Sequence, residues 1–146
     1  MSKGNTFEND LMLLLFNNTD IADIGDAGGL QNSATAGSFY IALHTADPGE
    51  GGTAATSECA YGSYARVAVA RSGAGWTVSS NTATNAALIQ FPECTSGSET
   101  ITYVSITTAS SGSTKILYSG ALTASRSVSS GIQPQFAATA LTVTED

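Results

Sequence analysis

From residue 39 onward the chain is a succession of short runs rich in Val, Ile, Thr and Tyr, broken at close intervals by turn signals such as Ser96-Gly97, Ser111-Gly112 and Ser130-Gly131. Runs this short leave little room for helices, and their β-branched and aromatic residues suit a pleated, half-buried surface. The expected strands lie at 39–44, 64–70, 75–79, 86–91, 100–107, 115–121, 126–128, 133–137 and 140–144. Many short strands separated by turn residues predict a mainly β protein, an antiparallel β-sandwich or jelly roll. At 146 residues the chain can bury a core without metal or disulfide staples, and residues 1–146 read as a single domain.

One short α-helix is expected ahead of the strands, over residues 6–16. Asn5 or Thr6 suits its N-cap, and Glu8, Asn9 and Asp10 sit in the first turn, at the positive end of the helix dipole. The run Leu11-Met12-Leu13-Leu14-Leu15-Phe16 is apolar on nearly every side, and such a helix must be covered all round. One face can close the end of a sheet while another meets a neighbour. Leu11, Leu14, Leu15 and Phe16 are therefore the expected interface anchors. Residues 17–37 read as a loop rich in Asn, Asp and Gly.

Charge narrows the range of partners. Only 12% of residues are charged, against roughly 25% in ordinary globular domains. Ser, Thr, Ala and Gly take up the difference, so the surface should be neutral and rich in hydroxyls, which suits protein–protein packing. Net charge is −7, and the five basic residues Lys3, Arg66, Arg71, Lys115 and Arg126 are never closer than five positions apart. Nucleic-acid binding needs clustered Lys and Arg, so neither nucleic acid nor a membrane is an expected partner. The apolar run at 11–16 is far shorter than the ~20 residues of a membrane span. It also lacks the flanks of a secretion signal, so synthesis is expected in the cytoplasm. Cys59 and Cys94 would be thiols there, and whether they pair later stays open.

The most distinctive stretch is Phe39-Tyr40-Ile41-Ala42-Leu43-His44-Thr45-Ala46-Asp47-Pro48-Gly49. Phe39, Ile41 and Leu43 alternate as in a half-buried strand that ends at the Asp-Pro-Gly turn. A glycine-rich loop over 49–62 then leads to Tyr64-Ala65-Arg66-Val67-Ala68-Val69. Together with the apolar helix, Leu117-Tyr118-Ser119-Gly120-Ala121-Leu122 and the closing Leu141-Thr142-Val143-Thr144, this pattern resembles a family of small virion proteins of tailed bacteriophages. Its members are labelled head decoration (cement) proteins or tail-fibre proteins. The resemblance runs over nearly the whole chain and implies a structural protein. A decoration protein made in the host cytoplasm would sit on the outer capsid surface of the virion. There it would bind the major capsid protein and itself, as a homo-oligomer (dimer or trimer), and clamp neighbouring capsid subunits. In that role the helix supplies the anchors, the 49–62 loop meets the shell or a sister subunit, and Arg66 forms an ion pair across an interface. The alternative is a tail-fibre or tail-tip receptor-binding module, with Tyr61, Tyr64 and Trp76 as the aromatic cluster able to stack on sugar rings.

Catalysis has little to start from, and neither an enzyme nor a cofactor is expected. His44 is the only histidine, so a triad would have to use it, and no Gly-x-Ser-x-Gly context is present. At a strand end it is expected to be a structural hydrogen-bonder. Asp20, Asp23 and Asp26 could offer carboxylates to Ca²⁺, but their spacing departs from an EF-hand loop, and a solvated surface loop is expected instead. No phosphate-binding glycine loop with a lysine occurs. Asn17-Asn18-Thr19 is formally a glycosylation sequon, with no secretory route to that machinery.

Overall fold

The structure, a computed structural model, describes residues 2–25 and 28–145. It is mainly β, with 37% strand, 9% helix, antiparallel sheets and one N-terminal helix, as the turn rhythm predicts. In chain order the elements are α1 (Asn5–Asn17), β1 (Ser38–His44), β2 (Val67–Ala70), β3 (Trp76–Ser79), β4 (Thr82–Asn85), β5 (Ile89–Gln90), β6 (Ser98–Thr107), β7 (Ile116–Ser129), β8 (Gln135–Phe136) and β9 (Thr142–Thr144). They fall into two compact units, Met1–Ser38 with Ala70–Leu88 and Phe136–Asp146, and Phe39–Val69 with Ile89–Gln135.

In the first unit α1 packs against β3 and β4 of a three-stranded sheet ordered β3-β4-β9. The helix buries Glu8, Met12 and Phe16, each four residues from the next, so a single stripe faces the sheet. Phe16 meets Trp76 edge-to-face, with ring centroids 4.7 Å apart, and both side chains are fully buried. The N-cap is Gly4 rather than Asn5 or Thr6, and no side chain caps the first turn. Asn18 ends the helix in the left-handed conformation, and the Thr19 N–H reaches back to the Leu13 carbonyl at 3.2 Å. β4 was not among the expected strands, because Thr-Ala-Thr-Asn is a weak β sequence. Pairing creates it: the turn at Ser80-Asn81 lays Thr82 opposite Ser79 and Asn85 opposite Trp76, and β9 pairs along its other side.

The second unit is built on a four-stranded sheet ordered β2-β1-β6-β7, and β5 and β8 form a separate two-stranded pair. β1 runs antiparallel to β6, Tyr40 opposite Thr107 and His44 opposite Tyr103. The strands expected at 115–121 and 126–128 are one strand, β7. Its register jumps between the Tyr103–Ala121 and Ile101–Arg126 pairs, so residues 122–125 bulge out opposite Thr102 without ending the pairing. The strand expected at 64–70 begins only at Val67, since Tyr64 and Arg66 are engaged in the corner described next.

Candidate functional site

The corner motif closes on itself in the second unit. The buried His44 side chain donates from Nδ1 to the Thr56 carbonyl at 2.9 Å, and its Nε2 accepts from the Ser105 hydroxyl at 2.7 Å. A carbonyl can only accept, which sets this tautomer of a neutral ring. Burial lowers the imidazole pKa below its ordinary value, outweighing the Thr56 hydrogen bond, which acts the other way. The motif histidine is thus a hydrogen-bonding strut between β1, β6 and the following loop.

Arg66 holds the same loop from its far end. Its guanidinium grips Glu58 bidentately, Nε to Oε1 at 2.6 Å and Nη2 to Oε2 at 2.7 Å. The remaining N–H groups reach the Ala109 and Gly112 carbonyls and the Thr114 hydroxyl at 3.0, 2.8 and 3.1 Å. All five donors are therefore used inside the chain, and the residue is buried. Expected at an interface, Arg66 has no donor left for a partner. Tyr64 joins the network by accepting from the Leu43 N–H at 2.9 Å and donating to Glu58 Oε1 at 3.1 Å. Burial pushes its hydroxyl pKa well up. The 49–62 loop is pinned along its length: Ala54 N–H to the Thr114 carbonyl, Thr45 N–H to the Ser57 carbonyl, and the Ala60 and Tyr61 N–H groups to Glu99 Oε2. Gly52 is needed there, because a Cβ would stand 2.0 Å from the Pro48 carbonyl oxygen.

The helix anchors divide. Phe16 is wholly internal against Trp76 and offers no surface to a partner. Leu11, Leu14 and Leu15 are half-buried, and Phe7 is 39% exposed. Phe7, Leu11 and Leu14 follow one another at helical spacing, so α1 carries an outward apolar stripe opposite the one that packs on the sheet. Arg71 secures the end of the helix, donating from Nε to the Leu15 carbonyl at 2.7 Å, from Nη2 to the Leu14 carbonyl at 2.9 Å and from Nη1 to the Ala36 carbonyl at 3.0 Å. A cation at a helix C-terminus is favourable, and α1 carries none in its own last turn.

The aromatic cluster does not form a platform. Trp76 and Tyr61 are buried, in different units, and Tyr61 donates to the Pro92 carbonyl at 3.1 Å. Tyr64 stacks edge-on to Tyr61, with centroids 5.3 Å apart. Cys59 and Cys94 are both buried free thiols. Burial, reinforced by Glu99, pushes the Cys59 thiol pKa up to about 12. Of the acidic series, Asp20 accepts from the Asn32 N–H, while Asp26 lies outside the described residues.

Three residues that sequence reading passed over matter as much as those it picked. Glu58 and Arg71 carry the contacts above. Asn85, fully buried, donates to the Ala87 and Ala137 carbonyls at 2.7 and 2.8 Å and accepts from the Leu141 N–H at 2.8 Å, which ties the approach to β9 onto β4. Only the Asn residue type hinted at this, since a polar side chain in a strand must find partners.

A family model described as Podophage GP4 fiber I protein gp80 matches residues 22–144, most of the 146-residue chain. No curated protein matches it.

Proposed function

We propose a structural rather than catalytic part in the phage particle, and the premise is membership: the chain belongs to the family described as Podophage GP4 fiber I protein gp80. On this reading the protein is a fibre-type subunit whose work is to be held by, and to hold, other virion proteins. The observation that carries it is the outward stripe of α1. Phe7 is exposed and Leu11 and Leu14 are half-buried along one side of the helix, and such a stripe of apolar surface, alongside the exposed Leu30, Leu88 and Ile132 elsewhere on the chain, suits a protein interface. Low charge suits the same role, because two such surfaces meet with few ions to desolvate.

A second reading, shell decoration, draws on the same stripe. There α1 would seat on the major capsid protein at the outer capsid surface, with repeated copies of the chain, as dimers or trimers, adding avidity. Quantitative mass spectrometry of purified virions tests both by counting copies per major-capsid subunit. A small fixed number per particle supports the fibre reading, and a ratio near one, or a simple fraction of it, supports decoration. Absence from purified virions would sink both.

A further inference from the structure

The four-stranded sheet of the second unit has one long open edge. β7 ends the order β2-β1-β6-β7, and among the described residues no strand pairs along its outer side. Of its 14 residues only Val128 is buried. The direction of its backbone groups follows from the far side of the sheet. The Leu43 N–H donates to the Tyr64 hydroxyl and its carbonyl accepts from the Cys59 N–H, so both groups point away from β6. In an antiparallel ladder these directions alternate along each strand. Val104, opposite Leu43, therefore turns toward β7, and Gly120, opposite Val104, turns back toward β6. Ser119 and Ala121 then hold their N–H and C=O groups on the open edge, where no described residue bonds to them.

Such an edge is a template for another strand, and proteins guard it with lysine, proline or a bulge. Here the bulge begins only at Leu122, and residues 116–125 contain neither a charge nor a proline. Gly120 points the same way. It lies in regular pairing, outside the left-handed region, and a Cβ there would meet nothing within 4 Å. Nothing inside the chain calls for glycine at 120, and a glycine within a strand marks the close approach of another backbone. We infer that two copies of the chain pair β7 to β7, antiparallel about a two-fold axis at Gly120, and join their sheets into one. Ser119 of each copy then lies opposite Ala121 of the other and exchanges two backbone hydrogen bonds with it, while the two Gly120 Cα atoms approach to about 4.5 Å. Length favours a second β7 as the occupant, because β2, β3, β5, β8 and β9 have four residues or fewer. Charge agrees: a chain of net −7 approaches its copy most easily where acids are absent, and β7 contains none. The 122–125 bulge keeps the pairing short, so the dimer is weak in dilute solution and gains from high local concentration.

This pairing is a property of the isolated chain and does not use α1, so its failure would leave the structural part in the particle untouched. The test is sedimentation equilibrium of the full chain from about 10 μM to about 1 mM. The average mass should climb from 14.8 kDa toward twice that value. In the concentrated sample the Ser119 and Ala121 amide protons should gain protection from exchange. Ala121→Pro removes an outward N–H without touching the β6 pairing, and should weaken self-association by about tenfold or more. Should that variant fail to fold, Ser119→Lys sets like charges across the axis and should weaken it as well. Gly120→Cys should oxidise to a covalent dimer faster than Ser119→Cys, since the native thiols are buried and the two Gly120 positions lie within disulfide reach. A chain that stays monomeric at the top concentration would overturn the inference, as would a dimer that neither edge variant weakens. Protection of Ser119 and Ala121 seen only within purified virions would also overturn it, and would assign the edge to a strand of another virion protein.

Discussion

At the scale of single residues, several of the chain's few charges are used as internal clamps. Arg66 and Glu58 form a nearly buried bidentate pair, their side chains 1% and 18% exposed. Removing one partner leaves the other desolvated and alone. Arg66→Met should therefore cost about 3–5 kcal/mol in chemical denaturation, and the Arg66→Met/Glu58→Met pair distinctly less. Arg66→Lys should not rescue it fully, because a single ammonium cannot make the two-pronged contact. His44 gives a second expectation. Its folded pKa lies below the unfolded value, so the unfolded chain binds more protons as pH falls below about 6.5, and stability present at neutral pH is lost in that window. The slope should not exceed about 1.4 kcal/mol per pH unit and should flatten in His44→Gln. Glu58, which raises this pKa, and Arg66, which lowers it, are the charged neighbours that tune the midpoint. A pH-independent denaturation midpoint between 7 and 5 would contradict this account.

At the scale of elements, α1 presents two apolar faces. Its inner stripe packs on β3 and β4, and its C-terminal carbonyls depend on Arg71, which arrives from 56 positions away in the chain. Arg71→Ala should fray the last turn and cost about 1–2 kcal/mol, seen as lost helical circular dichroism before the strands melt. The outer stripe can be altered without touching that packing. Phe7→Asp with Leu11→Gln should leave the melting temperature nearly unchanged yet lower the number of copies retained on purified virions. Wild-type retention of the double variant would mean that α1 is not the anchor. At the other end of the chain, β7 keeps pairing with β6 through the 122–125 bulge, and this is why two expected strands are one.

For the whole molecule, the balance of charge predicts behaviour in solution more than it predicts fold. With a net charge of −7 and a sequence pI near 4.3, copies repel one another at neutral pH. Acidification removes that repulsion while His44 takes up its proton, so light scattering should rise steeply as pH approaches 4.3, above a threshold set by unfolding rather than by charge alone. Reversible scattering with no loss of native fluorescence would separate simple charge loss from unfolding.

What the sequence determined by itself was whatever depends on near neighbours. Turn dipeptides, β-branched runs and the Leu-rich segment settle a mainly β chain with one N-terminal helix, and a single histidine at a strand end already read as a strut. The tertiary structure decided which side chains became partners. Glu58 answers Arg66, which also reaches 43 positions along the chain to Ala109, and Asn85 reaches 56 to Leu141. It also decided that Phe16 turns inward while Leu11 and Leu14 stay at the surface, although one run contains all three. The reason is physical: conformational preference is summed over a few residues, whereas a hydrogen bond or a buried face is fixed only when chain segments remote in sequence fold against each other.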